Sequence, residues 1–278
     1  MDEIRRVADD GTLSSGGAQG SAPGPLCLAL ETAARSASVA LMRGAEVLDV
    51  RRGPEGQHHS ETLLPMTDAV LAAAGCALED IEVFAVSIGP GGFTGLRIGL
   101  ATAKGLAFGS DQPAVAVSSL AALALAACRA DPGPEGGIFV PALDALRGEV
   151  YAGGYAREAL CGDLSRVQPC LAESLYTADD LARALPQGGR LVGEGAGVVA
   201  PGLAPGEASR WQAESGTPSV PDAVSVGLLG VAGLVAGRAR PVAELVPRYV
   251  RRAEAEVMRT AERLEADPED GSGLLTRS

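Results

Sequence analysis

Short apolar runs and segments of helical period alternate along the first half of the chain. Three runs of strand length come first and are joined by short turns, which indicates an antiparallel start. They are Leu26–Leu30, Ser38–Met42 and Glu46–Arg51. The next segment, Ser60–Ala74, has apolar residues at helical spacing and is followed by Gly75, a common C-terminal cap. Pro65 fits poorly inside a helix, so we expect this one to start near Leu63 or to bend there.

Strand and helix patterns then follow in turn. The predicted strands are Glu82–Ile88 and Ala114–Val117, and the predicted helices are Leu96–Phe108 and Ser118–Arg129. The resulting order β-β-β-α-β-α-β-α predicts a mixed sheet with helices packed on it. It resembles the element order of the ribonuclease-H-like lobe shared by actin and the sugar kinases. The predicted fold class is therefore α/β, with two such lobes built from mixed β-sheets flanked by helices.

A Pro- and Gly-rich loop at 130–137 is the clearest internal break in the sequence. It separates an actin-like lobe at 25–130 from a second, degenerate lobe at 131–252. The second lobe is predicted to hold strands at Ile138–Leu143 and Glu149–Tyr155 and helices at Thr177–Leu185 and Val224–Ala236, with 198–221 loosely ordered. Residues 1–24 predict a disordered extension, and residues 253–278 predict a helix or disordered tail.

Composition restricts the classes of function. The net charge is −12 and aromatic residues make up only 3%, so we expect no tight binding of RNA by this chain alone. Arg248, Arg251 and Arg252 form the clearest basic cluster, for which a solvated surface is the preferred interpretation. The five cysteines are scattered without a C-x-x-C pair, which favours small buried residues in a reducing cytoplasm. No apolar run has the length of a membrane span or the pattern of a signal peptide, so a cytoplasmic location is predicted.

Few residues suggest chemistry of their own. Glu31 and Thr32 follow the first predicted strand, where they could face a phosphate or could simply form a strand-end turn capped by Thr32. His58 and His59 are the only histidines, and adjacent residues point in different directions. No metal site and no catalytic residues are therefore predicted.

The stretch Ser87–Gly99 is the most specific signal in the chain. A bare glycine loop at a strand-to-helix junction would indicate a structural turn with a helix start at Thr94. The whole string, S-I-G-P-G-G-F-T-G-L-R-I-G, resembles the G-P-G-x-F-T-G-x-R-x-G signature of the TsaB (YeaZ) family. His59–Met66 resembles the H-x-x-x-L-L-P-x helix entry of that family, and Pro247–Arg251 resembles its P-x-Y-L-R segment. Asp144–Tyr151 resembles D-A-R-x-G-E-V-Y, with Leu146 in place of the arginine and Arg147 after it.

The resemblance implies an accessory role rather than catalysis. In the catalytic sister family, TsaD, a histidine pair binds a metal at the helix that follows the next strand. Ser119 and Leu123 stand at those two positions here, and neither side chain replaces an imidazole at a transition metal. Relatives usually carry Asp where this chain has Glu31. The implied nucleotide site is therefore vestigial; its candidates are Glu31, Thr32, Gly91 and Gly92.

A partner surface is the second implication. Small residues recur every four positions from Gly95, as needed for close packing on the chain's own sheet or against a partner helix. In the family the two N-lobe helices build the dimer contact. The interface candidates are His59, Leu63, Leu64, Thr67, Leu71, Gly95, Arg97, Gly99 and Ala103.

The resemblance therefore implies a subunit that activates a TsaD-type enzyme forming threonylcarbamoyladenosine at position 37 of tRNA. A TsaE-type ATPase belongs to the wider complex, a homodimer is expected alone, and tRNA contact is indirect. No intrinsic cofactor is predicted, and ATP with Mg²⁺ at the complex interface is left open. The alternative is an independent ATP-using enzyme, for which Val192–Gly197 is the nearest second phosphate loop.

Overall fold

The computed structural model describes residues 5–6, 24–110, 112–131, 136–213 and 218–250. Most of the predicted extension at 1–24 and all of the predicted tail at 253–278 lie outside the described residues. Within the described ranges, every helix is too short or too polar to span a bilayer.

Two β-sheets and eight α-helices make up the described part of the chain. The strands are β1 (Arg5–Arg6), β2 (Leu26–Glu31), β3 (Ser38–Arg43), β4 (Glu46–Arg52), β5 (Val83–Gly89), β6 (Pro113–Ser118), β7 (Ile138–Asp144), β8 (Val150–Ala156), β9 (Leu171–Tyr176), β10 (Gly189–Val192), β11 (Trp211–Ala213) and β12 (Arg240–Pro241). The helices are α1 (His59–Ala74), α2 (Phe93–Leu106), α3 (Ser119–Ala130), α4 (Arg157–Cys161), α5 (Ala178–Ala184), α6 (Ala196–Val199), α7 (Pro205–Ala208) and α8 (Ala223–Val235).

Both sheets are built on the same five-strand arrangement. The first contains β4-β3-β2-β5-β6, in which β2, β3 and β4 are antiparallel while β5 and β6 run parallel to β2. The second is β9-β8-β7-β10-β11, in which β7, β8 and β9 are antiparallel while β10 and β11 run parallel to β7. The short strands β1 and β12 extend the first sheet. The repeated arrangement is that of two ribonuclease-H-like lobes, which confirms the predicted fold class.

Alternation along the strands explains how the layers form. Leu28 and Leu30 of β2 pack with α1 and α2, whereas Cys27 and Ala29 belong to the core on the opposite face of the sheet, where α8 lies. Helix α3 lies between the two sheets and contacts both, so ten of its twelve residues are buried. The protein is thus a stack of helix, sheet, helix, sheet and helix layers.

Two helices of the first lobe begin earlier than predicted. Helix α1 starts at His59 and includes Pro65. A proline removes one helical hydrogen bond, but Leu63 and Met66 are buried and hold the same turns in the core. Helix α2 starts at Phe93 rather than Leu96, since Gly92 takes the N-cap position.

The second half departs further from the prediction. Strands β9, β10 and β11 were not predicted, and the segment 198–221 contains β11 and short helical turns besides the undescribed residues 214–217. Helix α8, predicted within the second lobe, packs on the first sheet. Gly227, Gly230 and Gly233 face that sheet, and a β-carbon at Gly230 would overlap Ala85. The chain therefore returns to the first lobe after completing the second.

Candidate functional site

The glycine loop lies where β5 ends and α2 begins, at the edge where the carboxyl ends of β2, β5 and β6 meet. Gly89 and Gly91 have φ angles of 113° and 156°, which favour glycine. Gly92 donates its N–H to Ala33 O at 2.8 Å, and a β-carbon at Gly91 would lie 2.6 Å from Ala33 Cβ. The loop therefore packs directly on the turn that follows β2.

Two further glycines continue this contact along α2. A β-carbon at Gly95 would overlap Thr32 O, and one at Gly99 would overlap Thr32 Oγ1. His59 lies beside Gly95, and its Nε2 is 2.9 Å from Ala34 O. Of the two explanations for the small-residue stripe, close packing within the chain applies to Gly95 and Gly99.

Glu31 and Thr32 are enclosed by these contacts, with exposures of 0% and 1%. Glu31 Oε1 accepts a hydrogen bond from Ala33 N at 2.5 Å, whereas Glu31 Oε2 and Thr32 Oγ1 are buried without a hydrogen-bond partner. Burial raises the pKa of Glu31 to about 7, although the neighbouring Ser87 hydroxyl and the Ala33 N–H oppose the rise. The carboxyl group is therefore partly neutral at physiological pH.

A magnesium–nucleotide group does not fit these residues. Magnesium is usually bound through one or two carboxylates together with phosphate oxygens and several waters. The Glu31 side chain has no exposed surface at which such a group could bind. Gly95 and Gly99 of α2 lie against Thr32 and fill the space beside it. The four nucleotide-site candidates, Glu31, Thr32, Gly91 and Gly92, form a packed junction instead.

The positions that carry histidines in the TsaD family have other roles here. Ser119 is fully buried, and its hydroxyl is 2.6 Å from that of Ser87. Leu123 is fully buried in the core between the sheets. His58 and His59 lie at the start of α1, away from both positions in the chain order, and the described residues contain no group of three or more potential metal ligands.

The nine predicted interface residues divide into two groups. Leu63, Thr67, Leu71, Gly99 and Ala103 are buried within the chain, so as placed here they support the helices and cannot touch a partner. The residues that reach the surface are His59, Leu64, Gly95 and Arg97, with Leu64 49% exposed.

The outer sides of α1 and α2 are otherwise lined by small or apolar residues. Pro65, Ala72, Ala101 and Gly105 are exposed there, and Glu61 and Asp68 add two charges on α1. Leu64 lies on the outside of α1, whereas the adjacent Leu63 points inwards.

Arg97 is held on this surface by two aromatic rings. Its guanidinium carbon lies 3.7 Å from the ring centroid of Phe93 and 5.7 Å from that of Tyr249, and its Nε donates to Tyr249 Oη at 2.8 Å. Arg248 N also donates to Ile88 O at 2.8 Å. The closing P-x-Y segment thus docks on the glycine loop, which brings two motifs of the sequence into direct contact.

A buried carboxylate that sequence reasoning missed joins three parts of the chain. Glu173 on β9 accepts hydrogen bonds from Ser118, Tyr155 and Arg248. Ser118 is the N-cap of α3 in the first lobe, whereas Tyr155 is a buried residue of β8 in the second. Burial and the Glu173 carboxylate raise the pKa of Tyr155 well above its ordinary value. Glu173 is a single acidic residue in a stretch without a recognisable motif, so the sequence contains no indication of this role.

Two other sequence candidates have structural roles. Leu146 and Arg147 form a turn with φ angles of 64° and 60°, and Leu146 is 64% exposed. In the stretch Val192–Gly197, Gly195 N donates to Ala142 O at 2.9 Å, so this loop packs on the neighbouring strand β7. Of the proposed basic cluster, Arg248 bonds Glu173, while Arg251 and Arg252 lie outside the described residues.

Comparison with known proteins identifies relatives of part of the chain. Residues 54–174 match the family described as "TsaD: tRNA N6-adenosine threonylcarbamoyltransferase". The tRNA threonylcarbamoyladenosine biosynthesis protein TsaB of Haemophilus influenzae is 38% identical over 136 residues, which are 49% of this chain and 56% of that protein. The Escherichia coli protein of the same name is 37% identical over 131 residues, which are 47% of this chain and 55% of that protein. The chain thus spans about half the length of the curated relatives it matches.

A solved structure extends the similarity to both lobes. The structure described as "YeaZ from Pseudomonas aeruginosa" superposes with a TM-score of 0.63 at 28% sequence identity. The superposition covers 81% of this chain and 99% of that one. The structural likeness therefore includes both lobes.

Proposed function

This chain belongs to the TsaB (YeaZ) family, and we propose that it is a non-catalytic subunit that binds and activates a TsaD-type threonylcarbamoyltransferase. The reaction it serves is formation of N6-threonylcarbamoyladenosine at position 37 of tRNAs that read ANN codons. The observation that carries the proposal is that α1 and α2 present an outward face to solvent. In the same lobe, the site at the ends of the strands is closed by the packing of α2 on Thr32 and Ala33. Such a lobe can bind a partner, whereas Glu31 and Thr32 are closed to a substrate.

The contacts of α3 support a non-catalytic role. A transition metal in a TsaD-type site needs neutral imidazole ligands. At the corresponding positions here, Ser119 is hydrogen-bonded to Ser87 and Leu123 packs in the hydrophobic core. The Glu31 site supports it as well, because a buried and partly neutral carboxyl group is a poor ligand for magnesium. The alternative of an independent ATP-using enzyme is disfavoured for the same reason.

The outer face of α1 and α2 is the proposed binding surface. The match to the TsaD family spans both helices, so a TsaD-type partner would present an equivalent helix pair. Small residues such as Ala101 and Gly105 allow helices to approach closely, and four helices then bury their apolar sides together. Arg97 is the polar anchor of the surface, because its stacking on Phe93 fixes the guanidinium before binding and lowers the entropy cost.

Other associations follow from the same surface. In the absence of the partner, exposed Leu64 favours pairing of two copies of this chain through the same helices. We propose that a TsaE-type ATPase joins the wider complex and that ATP and Mg²⁺ used there bind between subunits rather than at Glu31. With a net charge of −12, the chain contacts tRNA only indirectly, in the cytoplasm where the complex acts.

The first experiment measures complex formation with the purified TsaD-type protein by light scattering coupled to size exclusion. We expect a new one-to-one or two-to-one species. Leu64→Asp should lower the affinity at least about tenfold, because it places a charge in an apolar contact. Leu146→Asp is the matched control, since Leu146 is 64% exposed on the second lobe and should not affect binding. Equal binding by both variants would remove α1 from the interface.

A second experiment tests the reaction itself. Deleting the gene should abolish or strongly reduce N6-threonylcarbamoyladenosine in hydrolysed tRNA, measured by nucleoside mass spectrometry. The intact gene should restore the modification, and the Leu146→Asp gene should restore it equally. Normal modification in the deletion strain would overturn the proposed function.

A further inference from the structure

Two thiols from different lobes meet at the surface of the protein. Cys128 lies near the end of α3 and Cys161 ends α4, and their Sγ atoms are 3.0 Å apart. Cys161 is exposed, whereas Cys128 is 6% exposed. The expectation that the cysteines are small buried residues holds for Cys27 and Cys128 but not for Cys161 or Cys170, which are both exposed.

We propose that Cys128 and Cys161 form a reversible intrachain disulfide when the protein meets a hydroperoxide, and that this bond fastens the two lobes together. The disulfide bond length is about 2.05 Å, so the sulfur atoms have to approach by about 1 Å. Transient disulfides of this kind occur in cytoplasmic proteins as redox sensors. The inference does not depend on the proposed role in tRNA modification.

The two thiols have different chemical parts in the reaction. The thiolate of exposed Cys161 attacks one oxygen of hydrogen peroxide and breaks the O–O bond. The products are a sulfenic acid on Cys161 and hydroxide, which becomes water by taking the proton that the thiol had lost. Cys128 sulfur then attacks the sulfenic sulfur, and the departing hydroxide takes the Cys128 proton to form a second water. Two thiols are oxidised to one disulfide while one peroxide is reduced to two waters.

Burial explains why Cys161 reacts with the peroxide first and Cys128 reacts second. Desolvation raises the pKa of the Cys128 thiol to about 12, so Cys128 supplies little thiolate for attack on a peroxide in solvent. Its position next to Cys161 suits it to resolve a sulfenic acid formed there. Cys27 is fully buried, and burial likewise raises its pKa to about 12, so it should remain reduced.

The location of the bond gives it a structural effect. Helix α3 follows the last strand of the first-lobe core and lies between the sheets, while α4 follows β8 of the second lobe. Leu160, next to Cys161, is already buried in the core that contains α3. A covalent link here would therefore strengthen an existing contact between the lobes and limit their separation.

Peptide mapping tests the pairing directly, because trypsin places each of the five cysteines in a different peptide. Cys128 falls in 105–129, Cys161 in 158–166 and Cys170 in 167–183. After treatment with a small excess of hydrogen peroxide and blocking of free thiols, we expect 105–129 linked to 158–166 by mass spectrometry. Dithiothreitol should separate them. Absence of this pair while Cys161 is oxidised further, or pairing of Cys161 with another cysteine, would overturn the proposal.

Three variants separate the bond from general oxidation. Cys128→Ser should accumulate sulfenic acid on Cys161, detected with dimedone, whereas Cys161→Ser should leave Cys128 reduced. Cys170→Ser is the control for an exposed thiol and should form the same linked peptide as the wild type. The oxidised wild type should melt on the order of 5 °C above its reduced form, a difference that both Cys128→Ser and Cys161→Ser lose. An equal shift in either variant would contradict a link between the lobes.

Discussion

At the scale of single residues, Glu31 combines features that rarely occur together. It ends the central strand of the first sheet, it has no exposed surface, and Oε2 lacks a hydrogen-bond partner. A buried ionised carboxylate is costly unless it is paired, so the proton is retained to a higher pH than in water. The residue therefore ties the stability of the first lobe to pH.

Glu31→Gln should remove a pH dependence of stability. The folded-state pKa of about 7 exceeds the ordinary value of 4.5, so the native state holds a proton that the unfolded chain releases. The free energy of unfolding should therefore fall as pH rises from about 4.5 to about 7, by about 3 kcal/mol in total. Urea unfolding at pH 5 and pH 8 measures the difference. The exposed-site control Glu55→Gln should keep the wild-type slope, and an unchanged slope in Glu31→Gln would contradict the assignment.

At the scale of elements, the contact that fixes the orientation of α2 is its contact with the turn after β2. Four glycines, Gly91, Gly92, Gly95 and Gly99, lie against Thr32 and Ala33. Each interior glycine costs a helix roughly 0.5–1 kcal/mol relative to alanine, and the close approach offsets this cost. The helix is thereby fixed at the angle at which Arg97 and its aromatic neighbours are presented to solvent.

Two alanine substitutions in the same helix should have opposite effects. Gly99→Ala should lower the free energy of unfolding by about 1–3 kcal/mol, because its β-carbon overlaps Thr32 Oγ1. Gly105→Ala should raise it by about 0.5–1 kcal/mol, because nothing lies within 4 Å of its β-carbon. Chemical unfolding measures both, and Thr32→Ala combined with Gly99→Ala should recover part of the loss. Equal stability of the two single variants would show that α2 does not press on Thr32.

At the scale of the whole molecule, the lobes are connected by a shared core and by one buried carboxylate. Helix α3 packs between the sheets, and Glu173 receives hydrogen bonds from the first lobe, the second lobe and the closing segment. Charge-assisted hydrogen bonds are stronger than neutral ones, and an interior partner left without its acceptor is penalised. Glu173 therefore holds Arg248 and the docked closing segment in place.

Glu173→Ala should lower the free energy of unfolding by about 2–4 kcal/mol, since it leaves the buried Tyr155 hydroxyl and the partly exposed Arg248 without an acceptor. Tyr155→Phe removes one of these donors and should cost about 1 kcal/mol. Urea unfolding is the measurement, with Glu158→Ala as the control because Glu158 is exposed on α4. Similar stability of Glu173→Ala and Glu158→Ala would rule out a connecting role.

Local patterns predicted the first lobe closely. The strands that begin at Leu26, Ser38 and Glu46 each end within one residue of the predicted position, because apolar alternation and turn residues act over only a few positions. The second lobe was predicted less well, since β9, β10 and β11 are partly polar and β10 and β11 have only four and three residues. Their positions depend on pairing with β8, β7 and β10 respectively rather than on their own sequence.

The sequence by itself determined the α/β class, the glycine-loop motif with its family resemblance, and the absence of histidines where the TsaD family carries them. These are properties of short segments, and side-chain chemistry reads directly from the residues. Only the tertiary structure decided that Gly99 faces Thr32 rather than a partner, that α8 returns to the first sheet, and that Glu173 and the Cys128–Cys161 pair join the lobes. Those contacts link residues far apart in the chain, and they arise from the packing of whole layers, which no local pattern encodes.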